Sequence, residues 1–319
     1  MKIILISSGV FSIPTMHHLA DQKMLHTVVC IGKTNKNTAL VELNANYLNI
    51  PFRRFLKEEL TTGLKDLLNE AEPFVVFVFG CPYKLPSELF SIPKHGFFNI
   101  HFSLLPAYRG PSPMFWQIKN GETTSGITIH QMTEDLDGGA MLAQQESAVS
   151  PAESCGLFSA RLSVETVSVV IKAIKKLVNT GTDLLLPQNE VKSSYFKRPV
   201  ITDLQIDWDK QSAAEIESLV NATNPDYGGA TTSFRSQPFR ILETNRVNLN
   251  AQPVPPGTIV HADMNYGVVV ACKDGEYLRI NVAQLSEGIF STFKLAGLGI
   301  KAGERFEDSS KLVGITVEP

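Results

Sequence analysis

The sequence predicts a doubly wound, mostly parallel α/β sheet followed by a smaller domain of short β-strands. Three observations predict it. Continuous apolar runs at 3–6, 27–31 and 74–79 have the composition of strands buried on both faces. Segments with helical spacing separate these runs. From about Ser194 the character changes to short alternating segments divided by turn residues such as Lys273-Asp274-Gly275-Glu276. With 319 residues, 43% hydrophobic and 19% charged, the chain has room for two packed domains.

In chain order, the first strand at 3–6 ends at Ser8-Gly9, and a helix over 13–20 opens near Ser12 with Pro14 in its first turn. A strand at 27–31, a helix over 38–48, a short strand at 51–55 and a helix over 59–68 follow. The run 74–79 reads as a central strand. Pro82 and Pro86 then break the chain ahead of a short helix near 87–90. Beyond the central stretch, 113–119 and 155–178 have helical patterns, the latter stopped by Thr180-Gly181-Thr182. A helix over 213–222 precedes strands at 239–242, 257–261, 267–271 and 277–282.

The chemistry concentrates between Phe97 and Leu142. In Phe97-Phe98-Asn99-Ile100-His101 the strand period of two sets an amide and an imidazole on one face. Ser103-Leu104-Leu105-Pro106 and Arg109-Gly110-Pro111 form a turn. A second strand-like run, Gly126-Ile127-Thr128-Ile129-His130, leads to the glycine-rich loop Asp135-Leu136-Asp137-Gly138-Gly139. An amide donor, an imidazole and a carboxylate suit acyl transfer without a covalent enzyme intermediate. Spacing alone leaves His101 open between a packed core residue and a catalytic group, since a lone strand His is more often the former.

The run Asn99-Ile100-His101-Phe102-Ser103-Leu104-Leu105-Pro106, then Tyr108-Arg109-Gly110, resembles the signature of formyltransferases that use 10-formyltetrahydrofolate. Asn120-Gly121-Glu122-Thr123 and Tyr195-Phe196-Lys197-Arg198-Pro199 with Ile206-Asp207-Trp208 resemble the methionyl-tRNA branch, and the first of these its amino-sugar relatives too. The resemblance implies a Rossmann-like formyltransferase domain over 1–193, a linker over 194–212 and an open, OB-like barrel with a leading helix over 213–319. It implies catalytic roles for Asn99, His101 and Asp137. The acceptor amine would attack the formyl carbon to give a tetrahedral oxyanion that Asn99 stabilises. His101 would move the proton, and Asp137 would hold the imidazole and favour its protonated form. Folate contacts fall on Gly80, Cys81, Pro82, Tyr83, Leu104, Leu105, Asp135, Leu136, Gly138 and Gly139, although the leucines read equally as core. Ser103, Pro106, Arg109 and Gly110 are the candidates for substrate contact. The folate is a consumed cosubstrate, and no metal is implied.

Other features narrow the choice. Gly9 stands alone where dinucleotide enzymes carry three spaced glycines, which counts against NAD or FAD. Cys30, Cys81, Cys155 and Cys272 lie far apart, which disfavours a zinc site or a disulfide framework and fits a reducing cytosol. No apolar run approaches membrane-spanning length, so a cytoplasmic location is expected. The acceptor is less determined. The loop after the second strand, Gly32-Lys33-Thr34-Asn35-Lys36-Asn37-Thr38, is short, and residues 201–319 hold ten Lys and Arg against fifteen Asp and Glu. Both features disfavour tRNA by charge without excluding it, and they lean slightly to a small amine such as a nucleotide-linked amino sugar. Hydrolysis of 10-formyltetrahydrofolate would use the same three residues. Oligomeric state is not legible.

Overall fold

The computed structural model describes residues 1–308; the last eleven residues of the expected barrel domain lie outside the described residues. The chain divides into two compact units. The first holds residues 1–113, 124–148 and 159–196, and the second holds 114–123, 149–158 and the chain from Lys197 onward.

The first unit is built on β1 (Ile3–Ser7), α1 (Ile13–Asp21), β2 (Leu25–Ile31), α2 (Lys36–Tyr47), β3 (Phe52–Phe55), α3 (Lys65–Ala71), β4 (Val75–Phe79) and β5 (Phe97–His101). In chain order α4 (Pro113–Lys119) follows, which beyond Pro113 belongs to the second unit; β6 (Thr124–Gln131), β7 (Met141–Ala148) and, from Ser159 on, the long helix α5 (Cys155–Thr180) belong to the first. The sheet order is β3-β2-β1-β4-β5-β6-β7. Neighbours from β3 to β5 are parallel, whereas β6 and β7 are antiparallel additions. The central strands β1 and β4 are buried along their whole length, as their unbroken apolar composition requires. Burial of each such large side chain stabilises the fold by roughly 1.5–3 kcal/mol.

Three local outcomes differ from the sequence expectations. The helix expected over 59–68 is regular α-helix only from Lys65; residues 57–64 form tighter and wider turns. Thr61-Thr62-Gly63 explains this, because paired β-branched residues and glycine are weak helix formers. The strand β7 was not anticipated, because its sequence MLAQQESA carries polar residues at half its positions. Asn35 explains the early start of α2: it caps the helix by accepting from the Thr38 N–H at 3.0 Å, while Thr38 answers its backbone.

The second unit contains α6 (Ala213–Thr223), β8 (Ala230–Phe234), β9 (Gln237–Val247), β10 (Ile259–Asp263), β11 (Gly267–Ala271), β12 (Tyr277–Leu285), β13 (Gly288–Ser291), α7 (Thr292–Gly297) and β14 (Phe306–Glu307). Its sheet runs β10-β11-β12-β9-β8-β14 with β13 beside β12, every pair antiparallel, a curled half-barrel. Ile206 and Trp208, in the segment expected to be a linker, are each only 1% exposed and anchor this core. Trp208 donates its indole N–H to Thr232 Oγ1 at 2.9 Å and stacks on Phe306. Among the described residues, no helix is long and apolar enough to cross a membrane.

Candidate active site

The candidate residues converge at the carboxyl end of β5, within the first unit. Asn99 and His101 share one face of this strand, as the period of two requires, and Asp137 reaches them from the loop after β6. Asp137 Oδ1 lies 3.4 Å from Asn99 Nδ2 and 3.8 Å from His101 Nδ1. Its other oxygen accepts the backbone N–H of Gly110 at 2.9 Å. His101 donates its Nε2–H to the Tyr108 carbonyl at 2.8 Å; a carbonyl only accepts, so this bond fixes the tautomer. In the neutral ring Nδ1 is therefore a bare lone pair on the side of Asp137.

Two of these contacts depend on unusual backbone. Tyr108 and Asp137 have φ values of 60° and 54°, in the left-handed region. An aspartate tolerates that region, but a tyrosine there is strained, and such strain clusters at functional sites. The strain at Tyr108 is what turns its carbonyl toward His101.

Burial governs the electrostatics. Desolvation of the His101 imidazole pushes its pKa below the ordinary value of 6.5. Asp137 and the bond to Tyr108 pull the other way, while the charges of His130 and Arg109 act with burial. Asp137 does favour the protonated ring, as expected, but desolvation outweighs its attraction and the net shift is downward. Burial also opposes ionisation of Asp137. The hydrogen bond from His130, the charge of His101 and the N–H of Gly110 outweigh it, holding the carboxyl at about 2.

His130 was missed as a site residue. It sits opposite Asn99 in the antiparallel register of β5 and β6, with Thr128 opposite His101. His130 Nε2 lies 3.3 Å from Asn99 Nδ2 and 3.5 Å from Asp137 Oδ1. The signal was present in the alternation Thr128-Ile129-His130, but its use required the antiparallel pairing. Gln188, in the loop after α5, was missed too. Its carboxamide donates to the carbonyls of Asp137 at 2.7 Å and Gly139 at 2.8 Å. Its oxygen accepts from Arg109 Nε and Nη2.

The remaining candidates divide. Arg109 is a nearly buried guanidinium in a forked pair with Glu190, with bonds of 2.7 and 3.0 Å. Ser103 is fully buried and donates to Ala107 O at 2.7 Å, so it closes the turn rather than presenting a hydroxyl to an acceptor. Pro106 O accepts from the Ser194 N–H. Leu105 is 3% exposed and its N–H donates to Thr128 Oγ1, which is core packing; Leu104 covers Gly126. In the loop, Leu136 is 60% exposed, and Gly138 and Asp135 close a turn. Gly139 packs so closely on the Gln131 carbonyl that a Cβ would lie 1.8 Å from it. Val78 lies beside Asn99, so Gly80, Cys81, Pro82 and Tyr83 leave the sheet at the same end. Burial pushes the Cys81 thiol up to about 11, which makes it inert at neutral pH. Tyr83 is half-exposed, with Lys57 above its ring. Ser194 to Phe196, expected to begin a linker, instead pair with the backbone of residues 106–109, and Phe196 stacks on Tyr108.

Comparison with known proteins yields three kinds of match. A family model described as formyl transferase matches residues 1–174, and one described as formyl transferase, C-terminal domain, matches residues 201–293. The methionyl-tRNA formyltransferase of Aromatoleum aromaticum is 33% identical over 243 residues, 75% of this chain and 74% of that protein. Among solved structures, HypX from Aquifex aeolicus in complex with tetrahydrofolic acid has a TM-score of 0.65 at 17% identity. That match covers 94% of this chain, which spans about half (48%) of HypX. An N-formyltransferase from Helicobacter canadensis in complex with folinic acid and dTDP-3-aminofucose has a TM-score of 0.63 at 18% identity, covering 87% of this chain and 98% of that one. At these identities the structural likenesses speak to the fold.

Proposed function

The chain belongs to the formyl transferase family and is a folate-dependent formyl-transfer enzyme, and within that family we propose that its acceptor is a small amine such as a nucleotide-linked amino sugar. The observation that carries the acceptor reading is the state of the cations in the second unit. Arg235 pairs with Glu304, Arg246 with Glu217, Arg305 with Asp209 and Lys210 with Asp207. Arginines and lysines committed to carboxylates are poorly placed to neutralise the phosphates of a polynucleotide. A specific observation favours a second reading: the 33% identical relative is a methionyl-tRNA formyltransferase.

The catalytic reading rests on Asn99, His101 and Asp137. 10-Formyltetrahydrofolate supplies the formyl group on N10. Gly80 to Tyr83 and the Asp135–Gly139 loop would hold it, since both segments adjoin Asn99 and Asp137. Asn99 donates an amide N–H to the formyl oxygen as the amine adds and that oxygen gains charge. His101, neutral at the start, takes the proton from the attacking amine at Nδ1 and returns it to the departing nitrogen. Asp137 stabilises the imidazolium formed in between, from its distance of 3.8 Å. Residues 1–193 would form the catalytic domain, and the dispersed free thiols fit a cytosolic setting.

The test is release of tetrahydrofolate with candidate acceptors: none, amino-sugar nucleotides, and initiator tRNA charged with methionine. Turnover driven by an amino sugar, with the formamide recovered, is expected. Turnover driven by charged tRNA would transfer the assignment to the second reading. Release of formate without acceptor would make the enzyme a hydrolase.

A further inference from the structure

We propose that Gln188 is the positioning residue for the proposed catalytic Asp137, one carboxamide fixing the loop that carries the carboxylate while tying it to Arg109. The inference rests on the reading of Asp137 as catalytic and adds a residue to it. Three observations support it. The two N–H groups of Gln188 are directed at the carbonyls on either side of Gly138, those of Asp137 and Gly139. Asp137 has a φ of 54°, in the left-handed region that aspartate tolerates, and the two bonds from Gln188 fix the carbonyls of that turn in this conformation. The acceptor end of the same amide is occupied by Arg109 Nε and Nη2 at 3.2 and 2.7 Å, and Glu190 takes the remaining face of that guanidinium.

The geometry explains why an amide is required. A carboxylate at 188 would satisfy Arg109 but would face two carbonyls with no proton to give. An aliphatic side chain would leave both ends unsatisfied. Only a group that donates and accepts couples the loop after β6 to the turn after β5. Gly110, the neighbour of Arg109, closes the circuit by donating its N–H to the Asp137 carboxylate.

The test uses the full chain with Gln188→Met and Gln188→Glu, in steady-state turnover and in NMR titration of the His101 ring, assigned by its loss in His101→Gln. Loss of two hydrogen bonds predicts that kcat falls about 10–100-fold in both variants while KM for 10-formyltetrahydrofolate stays within about threefold. The groups facing His101 are Asp137, His130 and Arg109. If the Asp137 carboxylate drifts, its attraction is lost and the His101 titration in Gln188→Met moves to lower pH. An unchanged titration with unchanged kcat overturns the inference. So does full activity in Gln188→Glu, which would make the Arg109 contact the relevant one. If the wild-type chain transfers no formyl group to any acceptor yet the titration still moves, the catalytic reading fails and the positioning role stands.

Discussion

The carboxylate of Asp137 accepts the backbone N–H of Gly110 at 2.9 Å, so the loop after β6 and the turn after β5 meet through a charge-assisted bond inside the first unit. With burial opposing it and His130, His101 and Gly110 favouring it, the carboxyl is ionised down to about 2, below its ordinary 3.8. A depressed carboxyl contributes stability above its unfolded value and loses it as pH falls through its folded value. Asp137 therefore contributes on the order of 2 kcal/mol above pH 4, lost between pH 4 and pH 2. Asp137→Asn should lack this component. Urea unfolding of both proteins should show a stability gap at pH 6 that narrows toward pH 2.5. Its kcat should fall by about 10²–10⁴ at pH 7, the scale of acid–base assistance.

The depressed His101 has the opposite charge sense. In the proposed mechanism its neutral form is the base, so the acid limb of kcat should lie below 6.5, with a plateau through neutrality. Asp137→Asn removes the attraction that raises the ring's value and should move that limb to still lower pH. His101→Gln should abolish the limb and lower kcat by orders of magnitude, with a far-ultraviolet dichroism spectrum like the wild type's. An acid limb at or above 6.5 in the wild-type profile would contradict a buried neutral base.

Much of this architecture was legible because it depends on local pattern. The runs that became β1, β2 and β4 could be read from composition, and the shared face of Asn99 and His101 from a period of two. What was not legible depends on partners distant in sequence. His130 gains its role from antiparallel register with Asn99, and Gln188 from a loop 51 positions after Asp137. Tyr108 contributes a carbonyl, which no side-chain pattern reports. The burial of Ile206 and Trp208 was not legible for the same reason, since burial of an isolated apolar residue is decided by the sheet that covers it.

His130 supports two members of the site at once. Its replacement by Phe keeps an aromatic ring in a 2% exposed position but removes the contacts of 3.3 Å to Asn99 and 3.5 Å to Asp137. Loss of a hydrogen bond to a charged group costs about 1.5–3 kcal/mol, which predicts a drop in kcat of roughly 10–100-fold, smaller than that of His101→Gln. Single-turnover measurements at saturating folate would isolate this effect from binding. A His130→Phe enzyme with wild-type turnover would confine the residue to packing.

Trp208 provides a stability test independent of catalysis. It is 1% exposed, stacks on Phe306 and donates to Thr232 Oγ1. Trp208→Ala removes a large side chain from the second unit's core and should destabilise it by about 3–5 kcal/mol. Trp208→Phe retains the stacking and should cost less; the cost that remains in it includes the lost indole N–H bond to Thr232 Oγ1, whose own hydroxyl keeps its donation to the Glu307 carbonyl. Thermal unfolding monitored by limited proteolysis after Lys197 would assign the loss to that unit.

Gly110 is where the strain and the chemistry of the turn coincide. Its φ of 116° suits glycine, and a Cβ there would stand 2.0 Å from the Phe196 carbonyl, a backbone atom with no rotamer to yield. Gly110→Ala must therefore shift either the turn or the strand-like segment 194–196. If the turn shifts, the N–H leaves Asp137 and the carboxyl loses one of the groups that keep it ionised. If the segment shifts, Phe196 leaves the face of Tyr108, whose carbonyl fixes the His101 tautomer. One route ends at Asp137 and the other at His101, so the substitution should lower kcat at least about tenfold and stability by about 1–3 kcal/mol. An alanine variant with normal kcat and lowered Tm would show that the Gly110–Asp137 bond stabilises the fold without preparing the site.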